Sequence, residues 1–195
     1  MHLAFDIFQG MGLAAAAGIR PFLPALVAGA LAAGNIQIDF TGTDYSFLEG
    51  TPFLLIMLVA SCALALAEFR WRQAADRRPA VVAILVVSLG MGAILFAGAL
   101  SQDEHTNWPG LLVGVACAAV GAAATVPLLR RVRDRLDAEA AGATALFADG
   151  AAIVVAGLSV LAPPIGLVAL LTLLWLWLSG RRRQPRKYAG LRILR

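Results

Sequence analysis

Long apolar runs alternate along the chain with short polar connections. The runs fall at about 10–34, 52–69, 80–100, 109–129, 145–162 and 164–180. A helix needs roughly 20 residues to cross about 30 Å of hydrocarbon, so each run reads as a membrane-spanning helix. Only Pro163-Pro164 separates the last two. Read as one helix, Ala145 to Gly180 would far exceed the bilayer at about 1.5 Å per residue. A double proline does not continue a helix, so a tight hairpin is expected there. A single kinked, tilted span is the alternative, and it would give five spans in total. The expected fold is thus all-α: a polytopic bundle of about six spans.

The polar connections order these spans. Asp39, Asp44 and Glu49 lie between the first and second, and Arg70, Arg72, Arg77 and Arg78 between the second and third. Asp103, Glu104 and His105 follow the third, and Arg130, Arg131, Arg133 and Arg135 follow the fourth. The last turn is uncharged and the tail, "RRRQPRKYAGLRILR", is strongly basic. Basic segments alternate with acidic or neutral ones, and the positive-inside rule then places both termini in the cytoplasm. Six spans are needed for the tail to agree with the earlier loops. Trp71, Trp108, Trp175 and Trp177 lie near span ends, as interfacial anchors do.

Composition agrees with this pattern. Of 195 residues, 60% are hydrophobic and only 14% charged, against about 25% charged in a soluble domain. One integral membrane domain over 1–195 is expected, ending in a basic cytoplasmic tail, 181–195. The net charge of +4 arises from arginines at span ends and no recognition motif accompanies it, so nucleic acid is not an expected partner. Membrane lipid is, and the basic tail could meet anionic headgroups. The chain opens with "MHLAFDIFQG", which has Asp6 and no basic stretch, so a cleaved signal peptide is not expected. Cys62 and Cys117 lie within apolar runs and read as buried free thiols.

Two stretches resemble one another. Gly18 to Pro24 and Gly121 to Pro127 share one spacing, with small residues before and apolar ones after. Three spans per half force opposite orientations, so repeats over 10–100 and 109–180 would form a 3+3 inverted repeat, as in many secondary transporters. Arg20-Pro21 has no counterpart, since Ala123-Ala124 occupies that frame. Arg20 therefore acts once per chain, and a homo-oligomer would carry one per protomer.

Arg20 is the main candidate for chemistry. It lies about ten residues into the first run, near mid-bilayer, where a guanidinium needs protein or water acceptors. Pro21 suits the first position of a helix and pushes its predecessor out of helical geometry. The first span is therefore expected to break at Arg20-Pro21, with the amides of the second half pointing toward Arg20. The expected site comprises Gly18, Arg20, Pro21 and Asp149, and the expected ligand is a small anionic solute or a lipid headgroup. Carboxylates that could pair with Arg20 are Asp149, Asp6 and Glu68. Asp149 is favoured because it lies inside an apolar run. His2 and His105 are the only histidines, and no nucleophile–base pair is visible, so no enzyme, metal site or cofactor is expected. The function expected is a small transporter or channel, with a scaffold or accessory subunit as the alternative.

"GLAAAAGIRPFLPAL", "AEFRWRQAADRRP" and the final "RKYAGLRILR" together resemble a family of small bacterial integral membrane proteins classed as a domain of unknown function. The resemblance implies a compact multi-span protein of the bacterial inner membrane and supplies no activity or site residues.

Overall fold

A computed structural model describes residues 2–70, 78–101, 108–133 and 140–182. These form seven α-helices and one short 3-10 turn: α1 (His2–Ile19), α2 (Leu23–Ala33), the turn Ser46–Glu49, α3 (Thr51–Arg70), α4 (Arg78–Ser101), α5 (Trp108–Arg133), α6 (Ala140–Leu161) and α7 (Pro163–Arg182). Helices α3 to α7 are each long and apolar enough to cross a membrane, whereas α1 and α2 are shorter apolar helices. The chain is a multi-pass helical membrane bundle.

The last five expected spans match α3 to α7, and the Pro163-Pro164 hairpin is real. Helix α6 stops at Leu161 and α7 begins at Pro163. The amide of Ala162 closes on the Leu158 carbonyl at 2.8 Å, and that of Ile165 on the Ala162 carbonyl at 2.9 Å. Ser159 and Gly166 then flank the same residue of α1, Gly12, so the two helices run back side by side.

The first expected span is the part that differs. It does not cross the membrane as one interrupted helix; it folds back on itself. Along α6, contacts from α1 descend from Gly12 beside Ser159 to Arg20 beside Asp149 and Ala145. From Phe22, near Asp149, contacts of α2 climb again to Val27 beside Gly157. Pro21 removes an amide and Arg20 is forced out of helical geometry, so the helix ends at Ile19 and the chain reverses within three residues. The reversal puts the start of α1 and the end of α7 at opposite ends of the bundle.

Helix α1 is the axis of the molecule. Leu13 and Ala14 to Ala17 are fully buried, and α1 packs against α4, α5, α6 and α7. Small residues make this possible, because lipid supplies no hydrophobic drive between helices and close backbone approach must supply the cohesion. A side chain at Gly18 would collide with the Ala118 carbonyl, and one at Gly121 with that of Ala15. Gly92 and Gly114 bring α4 and α5 together in the same way.

The resemblance of Gly18–Pro24 to Gly121–Pro127 has a packing origin. An added Cβ on Gly121 would lie 3.2 Å from the Cα of Gly18, so the two glycines face one another on helices running in the same direction. The second stretch is continuous helix through Pro127, while the first turns back. The match therefore falls on a shared contact face of α1 and α5.

The segment between α2 and α3 closes one end. Ile38, Phe40 and Leu48 are buried, with Phe40 and Leu48 against Gly98 of α4. Its acids bind the backbone: the Thr41 amide donates to Asp39 Oδ1 at 2.8 Å, and the Thr41 hydroxyl donates to Glu49 Oε1 at 3.1 Å. Hydrogen bonding of Asp39 to Thr41, through the side chain and the amide of Thr41, holds the Asp39 carboxyl below the ordinary range. Cys62 and Cys117 are free, but Cys62 is exposed on α3 and only Cys117 is buried. The basic tail beyond Arg182, the acidic turn 102–107 with His105, and Trp71 lie outside the described residues.

Candidate functional site

The turn between α1 and α2 carries Arg20 into contact with two other helices. The residue is 7% exposed, so its guanidinium must be satisfied by protein. Nη1 donates to Glu68 Oε1 at 2.6 Å and Nη2 donates to Glu68 Oε2 at 2.9 Å, a two-pronged pairing that matches the planar fork of the side chain. Nη2 also donates to the Ala145 carbonyl at 3.3 Å. On its other edge Nε lies 2.6 Å from Asp149 Oδ1, an ion pair in which the N–H is not aligned on the oxygen. One arginine thus ties α3 and α6 to the end of α1.

Three of the expected placements change here. Glu68 takes the terminal nitrogens, and Asp149, the favoured partner, takes the inner one; the sequence named both and ranked them the other way. Asp6 lies 14 residues away along α1, about 21 Å at the helical rise, and plays no part in the site. The cluster also sits away from the middle of the bundle. Glu68 ends the apolar stretch of α3, and Arg130 lines the same space as Arg20, so the site belongs to the arginine-rich end.

Gly18 and Pro21 serve as supports. Gly18 lets α1 meet the backbone of α5, and Pro21 is fully buried in the turn. The space beside Pro21, bounded by Phe22, Leu64 and Asp149, is only about 10 Å³. That is at most the room of one water.

The useful space lies on the other side of Arg20. A cleft of about 430 Å³ opens between α4 and α5, lined by Val81, Leu85, Ser88, Ala122 and Val126, with Arg20 and Glu68 in its wall and Arg130 also lining it. Its size is that of a small-molecule site, mostly apolar with a few converging polar groups. Sequence reasoning missed the cleft, because Val81, Leu85 and Val126 look like any lipid-facing residues until α4 and α5 are set apart. Ser61, Thr125 and Ser159 donate to carbonyls of their own helices at 2.6–2.8 Å.

The bundle of membrane helices defines a small polytopic membrane protein, and among the described residues its buried ion pairs lie at Arg20, beside an apolar cleft. The family model for a domain of unknown function, DUF4126, matches residues 7–183, and the chain belongs to that family. No curated protein and no solved structure matches it.

Proposed function

We propose that the protein is a small membrane transporter in which the α4–α5 cleft holds an amphipathic solute against the Arg20–Glu68 pair, with Asp149 behind it. The observation that supports this reading is a cleft of about 430 Å³ reaching a buried charged group. Buried charges inside membrane proteins are costly and usually mark ion or substrate pathways. The charge balance changes the kind of ligand from the sequence expectation. Arg20 is opposed by two carboxyl groups, so an added anion would compete with both. A cationic group would instead take one carboxylate from Arg20, and a proton would release it.

The arginine-rich end is cytoplasmic by the positive-inside rule, which puts the start of α1 on the outer side. The triplets α2–α4 and α5–α7 run in opposite senses beside α1, the relation that alternating access would use. Flux into liposomes of a lipophilic cation, with a lipophilic anion in parallel, tests the reading. Cation flux is expected to fall sharply in Glu68→Gln and Asp149→Asn while both variants stay folded. Unchanged flux in both would remove the cluster from the mechanism.

A second reading has its own support. Two-pronged pairing of Arg20 with Glu68 is the geometry of a structural clamp, as expected of a scaffold or accessory subunit. On that reading neither ion moves, and the same variants lower stability alone.

A further inference from the structure

A second cleft lies on the opposite flank of α5, between its end and that of α7. It has a volume of about 370 Å³, and Pro127, Arg131, Trp175, Trp177, Ser179 and Arg181 are among its lining residues. Its chemistry differs from that of the Arg20 cleft, where Arg20 and Arg130 share the wall with Glu68: here two arginines line the cleft and no carboxylate does. Neither arginine has an ion-pair partner among the described residues. Arg181 stacks on Trp177 with its guanidinium carbon 4.1 Å from the ring centroid. Such stacking holds the plane of the guanidinium while leaving its N–H edges free to donate. Arg131 reaches across the cleft, with Nη1 3.9 Å from where a Cβ on Gly180 would lie. Two guanidinium groups thus converge where the helices leave the membrane.

We propose that this cleft binds the phosphate-bearing headgroup of an anionic phospholipid. Arginine forks suit phosphate oxygens, and basic pockets between membrane helices on the cytoplasmic side take anionic headgroups. A lipid fits better than a free phosphate because the cleft continues into apolar surface. Val168, Leu171, Trp175 and Leu178 form an exposed stripe on α7 at helical spacing, leading from the arginines toward the middle of the membrane. That stripe can take an acyl chain, while Trp175 and Trp177 sit at headgroup level as interfacial tryptophans do. The site shares no charged residue with the Arg20 cluster and does not depend on transport.

Tryptophan quenching tests this directly. With Trp71 and Trp108 changed to Phe, emission from the described helices comes only from Trp175 and Trp177, both in the cleft. The full chain is reconstituted with bromine-labelled phosphatidylglycerol or bromine-labelled phosphatidylcholine in an otherwise unlabelled bilayer. The anionic lipid should quench at roughly tenfold lower mole fraction, from two arginines near the surface. The preference should vanish in Arg131→Gln/Arg181→Gln, survive in Arg131→Lys/Arg181→Lys, and weaken with salt. Ser179→Glu offers a second variant that leaves both arginines in place, and it should also abolish the preference. Equal quenching by the two lipids would overturn the proposal. So would displacement by millimolar inorganic phosphate, which would mark a site for small anions. A preference unchanged in the double Gln variant would do the same, assigning lipid selectivity to the basic tail.

Discussion

Helices α1 and α3 invert the usual link between hydrophobicity and burial. Helix α3 is an uninterrupted apolar span, yet only 6% of its membrane window is buried. Helix α1 contains Asp6 and Gln9 and runs into Arg20 just past its end, yet nearly every residue from Gln9 to Arg20 is buried. Apolar character alone does not decide which of the two takes the centre. In lipid both environments are apolar, so position depends on how closely backbones can approach and on which polar groups need partners. Glycine and alanine put α1 on the axis, and Leu55, Ile56, Val59 and Leu66 leave α3 facing outward.

Several substitutions would break or sharpen this contrast. The largest loss is expected at the charged end of α1. Arg20→Leu strands Glu68 and Asp149 in a partly buried site, at a cost of about 3–5 kcal/mol. Arg20→Lys should recover only part, since an ammonium does not match the two-pronged carboxylate. Unfolding in mixed micelles measures both, and a stable Arg20→Leu protein would mean the cluster is not needed for folding.

The axis of α1 comes next. Gly121→Val drives a side chain into the Ala15 carbonyl and should cost about 1–3 kcal/mol or more. Helix α4 contains its own control two residues apart. A methyl at Gly90 meets nothing within 4 Å, so Gly90→Ala should stabilise by about 0.5–1 kcal/mol through helix propensity. At Gly92 the same change places a Cβ 2.5 Å from that of Ala118 and should destabilise. Like signs at the two positions would refute backbone proximity as the source of cohesion.

Helix α3 should respond least among the helices. Val59 is 66% exposed, and Val59→Ala should change stability by less than about 0.5 kcal/mol. The smallest expected effect lies in the cap between α2 and α3. Asp39 is held below its ordinary range by Thr41, so its contribution is present above the unfolded value, about 3.9, and fades as pH falls through the folded one. Amide exchange at Thr41 should quicken on that acid side, and Asp39→Asn should flatten the response.

Much of the architecture was legible along the chain. Five spans follow from run length, and Pro163-Pro164 marks the hairpin because no helix continues through both prolines. Arg20 stood out as a charge within an apolar run, and Glu68 and Asp149 were among its few eligible partners. That both carboxylates pair with Arg20 was not legible, because pairing depends on the heights at which α3 and α6 pass the α1–α2 turn. The reversal at Arg20 was legible only as a break. Proline shows that a helix stops, but the direction taken afterwards depends on what α2 packs against, here α3 and α6.

The sequence by itself determined a helical membrane protein, its basic and acidic ends, and a lone arginine that had to be neutralised. These depend on transfer free energies and backbone chemistry, which act residue by residue. The tertiary structure decided that α1 and α2 form a hairpin, that α1 lies at the centre, and that two clefts flank α5, one with a carboxylate in its wall and one without. Those outcomes depend on distances between helices, and such distances follow from how small residues on different helices meet.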